Sequence, residues 1–146
     1  MASDTTFTPQ VLGETEKALN AILYRELDAV GLVEPEWITL QLTIAAGGEI
    51  AREQLVGRLA GALKVSPADA EARVGAMAAG GLLSSSDDAQ VTVTEAGAHV
   101  HARVRGEVGE ITRSLWGDLP ADDLATTGRT LATILARANA NYGGQA

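Results

Sequence analysis

The chain contains no cysteine, which removes disulfide stapling, thiolate metal sites and thiol-based redox sensing together. It has no apolar run long enough to span a bilayer and no basic-plus-apolar leader, so a cytoplasmic location without membrane contact is expected. Catalytic signatures are missing as well: there is no Gly-x-Ser-x-Gly elbow and no Gly-x-x-x-x-Gly-Lys phosphate loop. The carboxylate pairs Asp87-Asp88 and Asp122-Asp123 are adjacent in sequence and read as solvated, whereas a catalytic pair needs a concave, partly desolvated setting. An enzyme is therefore not expected. Positive charge is scarce, with 11 Lys and Arg against 19 Asp and Glu, a net charge of −8 and a pI near 4.6. A nucleic-acid binder usually shows the opposite balance, although local distribution decides more than the total.

What is present is helical patterning. At 146 residues the chain suits one domain, with apolar surface left over that a dimer would cover. After a lead-in over residues 1–7, Thr8-Pro9 opens a helix in which Val11, Leu12, Ala18, Leu19, Ile22, Leu23, Leu27 and Val30 follow helical spacing. Gly31 should end it. Glu34-Pro35 opens a second, with Trp37, Ile38, Leu40, Ile44 and Ala45 facing a core before Gly47-Gly48 breaks it. A third, over 51–63, buries Leu55, Val56, Leu59 and Leu63. A long helix from Glu95 to about Trp116 carries Val100, Val104, Val108, Ile111 and Leu115 near one stripe, and a last one from Ala121 to about Asn139 precedes a frayed Gly143-Gly144 tail. No internal repeat or low-complexity tract interrupts the series.

Residues 66–97 are the most informative. In Ser66-Pro67-Ala68-Asp69, serine is a good N-cap, proline suits the first turn and Asp69 occupies the capping-box position. Ala70, Val74, Met77 and Ala78 recur at helical spacing up to the Gly80-Gly81 stop, leaving Ala68, Asp69, Ala72, Arg73 and Ala76 outside. Leu82-Leu83, the polar tip from Ser84 to Asp88, and Gln90-Val91-Thr92-Val93 read as two strands and a turn, after which Thr94-Glu95-Ala96-Gly97 opens the long helix.

This order resembles the MarR family of winged helix-turn-helix regulators over nearly the whole chain. The likeness rests on Gly31-Leu32 through Glu36-Trp37, on Gln54-Leu55 through Leu63, and on Gly81-Leu82-Leu83 followed by Val91 to Gly97. It implies a mainly α fold with a small β-hairpin wing: a winged lobe over 34–94, and terminal helices over 8–30 and 95–140 that clasp a second copy as a homodimer. Family wings are longer and carry an Asp-x-Arg element, while 84–92 here contains no Arg or Lys, so the minor-groove arginine does not carry over. The absent cysteine likewise excludes the thiol sensing found in some members.

The resemblance implies a double-stranded DNA operator as partner and a ligand-responsive repressor as function. The DNA contacts expected are Ser66 and Arg73 on the recognition helix, Arg52 and Lys64 around the preceding helix, and Ser86 and Gln90 on the wing. Across 49–97 four positive side chains face seven negative ones, a net of −3, which predicts weak binding with a shallow salt slope. Asp69 and Arg73, four apart, are placed to pair with each other. Backbone N–H groups at the Ser66 helix start remain available to a phosphate. By the same resemblance a small aromatic effector would be lined by Tyr24, Trp37, His101 and Arg105, though Trp37 also reads as a core anchor and Tyr24 as an interface residue. His99 and His101 lie two apart on different helical faces, so no metal site is expected from them, and no cofactor. A histidine protonation switch is a further option. Arg103, Arg105 and Arg113 on the long helix either add phosphate contacts or balance acids such as Glu107 and Glu110. The competing expectation is a winged-helix dimer that has lost DNA binding and serves protein or small-molecule recognition.

Overall fold

The computed structural model describes residues 5–86 and 89–144; Asp87 and Asp88 of the expected wing tip and residues 1–4 of the expected lead-in lie outside them. The chain divides into two compact units, Met1–Val108 and Gly109–Ala146. Helices α1 (Pro9–Asp28), α2 (Glu34–Ala45), α3 (Arg52–Leu63) and α4 (Pro67–Ala79), strands β1 (Glu49–Ala51), β2 (Leu83–Ser86) and β3 (Gln90–Val93), and most of α5 (Glu95–Trp116) build the first unit. The last turns of α5 and α6 (Ala121–Gly143) build the second. The result is mainly α with a small antiparallel sheet, as the patterning predicts.

Local chemistry sets the helix starts. The Thr8 hydroxyl accepts from Val11 N–H at 3.1 Å and Pro9 follows it, so α1 begins where a cap and a preset φ coincide. At α2 the cap is reversed: Val33 has no side chain to offer, and the Glu36 carboxylate instead accepts the Val33 N–H at 3.0 Å. Ser66 caps α4 by accepting from Asp69 N–H at 3.1 Å.

Leu27 and Leu32, Trp37 and Leu40 of α2, Ile50, Leu55 and Leu59 of α3, Ala70, Val74 and Met77 of α4, Leu83, Val91 and Val104 form one buried cluster. Full burial of each large aliphatic member stabilises by about 1.5–3 kcal/mol, so this cluster holds the lobe together. One expectation for α2 is corrected, and one feature of it was not anticipated. Ala45 is exposed, while Thr39 and Thr43 are fully buried. Their hydroxyls donate to the carbonyls four residues back, Pro35 O at 2.7 Å and Thr39 O at 2.9 Å, which removes the penalty of burying a polar side chain.

The sheet has three strands in the order β1-β3-β2, one more than the expected hairpin. Ile50 faces Val91 and Glu49 faces Thr92 on one side of β3, while Leu83 faces Val93 and Ser86 faces Gln90 on the other. The wing therefore grows from a strand that also precedes α3. Its return to α5 is tightly specified. Gly81, at φ 85, turns the chain out of α4 in the left-handed region. Thr94 N–H then donates to Leu82 O at 3.2 Å, its hydroxyl donates to Gly81 O at 2.7 Å, and the same hydroxyl accepts Gly97 N–H at 3.0 Å. A Cβ on Gly97 would overlap the Leu82 carbonyl oxygen and stand 3.1 Å from Val93 Cγ2.

In the second unit α6 extends through Gly143, past the expected end near Asn139, closed by Gly144 N–H on Ala140 O at 3.0 Å. None of the described residues of α6 is buried in the single chain. The wing junction generates a stability prediction. Gly97→Ala should lower stability by about 1–3 kcal/mol through overpacking, read as a lower urea midpoint with an unchanged slope, whereas an unmoved midpoint would mean that the backbone opens freely there.

Candidate nucleic-acid interface

Helices α3 and α4 are joined by a three-residue turn in which Lys64 adopts φ 56, the left-handed cap of α3, and Val65 N–H returns to Ala60 O at 3.1 Å. This turn presents the start of α4 outward. Ala68, Asp69, Ala72, Arg73 and Ala76 are all exposed, so the outer face is the one the spacing predicts. The helix start is a thin anion site. Pro67 has no N–H, Asp69 N–H is taken by Ser66 and Ala70 N–H by Ser66 O at 3.1 Å, leaving Ala68 N–H as the donor not used within the first turn. The Asp69 carboxylate beside it opposes a phosphate further.

The four cations of the lobe differ in their circumstances. Arg52 Nε and Nη2 both reach Glu71 Oε1 at 2.6 Å, and Nη1 reaches Ser85 Oγ at 3.2 Å, linking α3 to α4 and to the wing. With the Glu71 side chain 49% exposed, such a pair contributes no more than about 1 kcal/mol, well below the apolar cluster, so its effect is on where the guanidinium points. Lys64 Nζ turns back to Gly61 O at 2.9 Å. Arg58 is exposed on α3. Arg73 is exposed and has no ion-pair partner among the described residues; the anticipated pairing with Asp69 is not formed, in keeping with the few tenths of a kcal/mol that an exposed pair at this spacing supplies. On the wing, Ser86 is exposed and Gln90 half-buried opposite it. Glu71 and Ser85 were not singled out by the sequence pattern, because they lie 19 and 33 positions from Arg52 and share no helical register with it.

The residues expected around an effector fall in two places within the first unit. Tyr24 donates to Glu34 Oε2 at 2.5 Å, and this hydrogen bond is the main reason its phenol is raised above the ordinary tyrosine value. Tyr24, Leu27, Asp28, Leu32 and Glu34 line an open groove of about 510 Å³ whose rim is acidic. Trp37 and His101 do not line that groove. They are buried and stacked on each other, with centroids 4.8 Å apart and planes at 21°. His101 Nε2 lies 3.2 Å from Gln41 Oε1, an oxygen that can only accept, so the Nε2-protonated tautomer fits. Arg105 is exposed one turn on, and His99 is exposed on the far side of α5.

Burial, with the Arg105 charge second, holds His101 below the ordinary histidine value. The unfolded chain therefore takes up a proton near pH ~6.5 that the folded chain refuses, so this residue's contribution is intact above that pH and is lost as pH falls toward the depressed folded value. His101→Gln should lessen the drop in urea midpoint between about pH 7.5 and about pH 5.5; an identical drop in both proteins would place the loss elsewhere.

No protein-family model matches the sequence, and no curated protein matches it significantly. Solved structures do. A MarR family transcriptional regulator from Silicibacter pomeroyi DSS is 23% identical, with 90% of this chain and 88% of that one covered at a TM-score of 0.72. The reduced form of MarR from E. coli is 17% identical, with 90% and 96% covered at 0.65. The organohalide-sensing regulator RdhR in its 2,4-dichlorophenol-bound form is 14% identical, with 95% and 87% covered at 0.69. With the capped helix α4, the three-stranded wing and the Thr94 junction in place, the chain has the winged helix-turn-helix fold of the MarR-family regulators.

Proposed function

We propose that the chain is a DNA-binding transcriptional regulator of MarR type, acting as a homodimeric, ligand-responsive repressor. The observation that carries this reading is the outer face of α4, short-chained and exposed, with the Arg73 guanidinium unpaired among the described residues. Alanines can pack on thymine methyl groups, and a free arginine can address a guanine edge. The dimer is supported by α6, which buries nothing in the single chain and leaves Leu135 62% exposed; a second copy is the commonest cover for such a surface. A two-fold pair would offer two recognition helices to successive major grooves. For the ligand, RdhR is described as organohalide-sensing and is bound to 2,4-dichlorophenol. In this chain the Tyr24 groove and the buried Trp37–His101 stack are the places where such a molecule would act.

Titration of the purified protein against its own upstream intergenic DNA at two salt concentrations tests the reading. Binding with a shallow salt dependence is expected, because each phosphate neutralised adds only about 0.9 to the slope and few cations are offered. Arg73→Ala should remove about 1–3 kcal/mol of discrimination between that DNA and an unrelated duplex; an unchanged preference would take Arg73 off the list of base contacts. Absence of all binding at low salt would favour the winged-helix dimer without DNA.

A further inference from the structure

We propose that Glu71 is an intramolecular rival of the DNA backbone, holding the Arg52 guanidinium in place of a phosphate so that the lobe is neutralised from within; this rests on the DNA-binding reading above. Arg52 stands where the elements that would flank a duplex meet. Its backbone N–H donates to Ala89 O in the wing at 2.9 Å, and its side chain spans from Glu71 of α4 to Ser85 of β2. Both Nε and Nη2 converge on a single oxygen, Oε1 of Glu71. The Arg52 side chain keeps 20% of its surface exposed, Glu71 keeps 49% and Ser85 is exposed, so the side open to a phosphate oxygen is the one that Glu71 and Ser85 now occupy.

Ion bookkeeping gives the consequence. A cation that is free in the unbound protein takes the place of condensed counterions on DNA, and the affinity falls with salt accordingly. A cation already paired with a carboxylate must leave it, and the released carboxylate gathers a cation of its own. The net release is close to zero. Arg52 therefore adds nothing to the salt slope while Glu71 is present, and the pair only sets where the guanidinium points.

The test is the affinity of the full-length protein for its own upstream intergenic duplex over a series of salt concentrations. Glu71→Gln should bind more tightly at low salt, with a slope steeper by about 0.9, one phosphate contact. Glu53→Gln removes an exposed carboxylate next to Arg52 that has no ion-pair partner among the described residues, and so reports the general effect of lost negative charge; its slope should match the wild type. Arg52→Ala alone should leave the slope nearly unchanged, and combined with Glu71→Gln it should abolish the gain. Equal slopes in Glu71→Gln and Glu53→Gln, or a gain that survives in the double variant, would overturn the proposal. If neither the wild type nor Glu71→Gln binds the duplex at low salt, DNA binding itself fails, and the rivalry with it.

Discussion

Thr94 bonds at once to both residues that lead from α4 into the wing. Its N–H meets Leu82 O, its hydroxyl meets Gly81 O, and that hydroxyl also receives the Gly97 N–H that starts α5. One side chain thus fixes the exit of α4, the root of β2 and the first turn of α5. Gly97 is part of the same constraint, since the Leu82 carbonyl occupies the space that a side chain would need. The placement of the wing beside α4, and of Arg52 between them, follows from this knot, because β3 runs directly into Thr94 and carries β1 and β2 on its two sides.

The apolar cluster and the polar contacts have separate tasks in the lobe. Burial of Leu40, Leu55, Leu59, Val74 and Val91 supplies the stability, while partly exposed contacts such as Arg52–Glu71 direct side chains without holding the fold. That division lets charges on the outer surface change without loss of the lobe. It also explains how so acidic a chain keeps a helix-turn-helix: the fold depends on aliphatic spacing and caps, and its net charge of −8 bears on association with a partner.

Much of this was legible in the sequence wherever the cause is local. Thr8-Pro9, Glu34-Pro35, Ser66-Pro67 and Thr94 mark helix starts within a residue of where they occur, because a cap and its N–H lie within three positions of each other. Strand β1 was not legible: Glu49-Ile50-Ala51 is too short to show alternation, and its partners on β3 lie some forty positions away. The inward turn of Thr39 and Thr43 escaped a pattern that counts threonine as polar, since their hydroxyls are satisfied by the helix's own carbonyls. The candidate site was legible as a face but not as a set of contacts. Ser66, Arg73 and the exposed alanines follow from helical spacing, whereas the capture of Arg52 by Glu71 and Ser85 and the stacking of Trp37 on His101 are products of tertiary folding.

The three-stranded sheet has a consequence for how crowded molecules of this chain behave. Its two outer strands are only three and four residues long; one begins with an exposed glutamate, and the other ends in three exposed serines. Outer strands this brief and hydrophilic make poor templates for pairing with a stranger's backbone, so the wing can project into solvent without seeding aggregation.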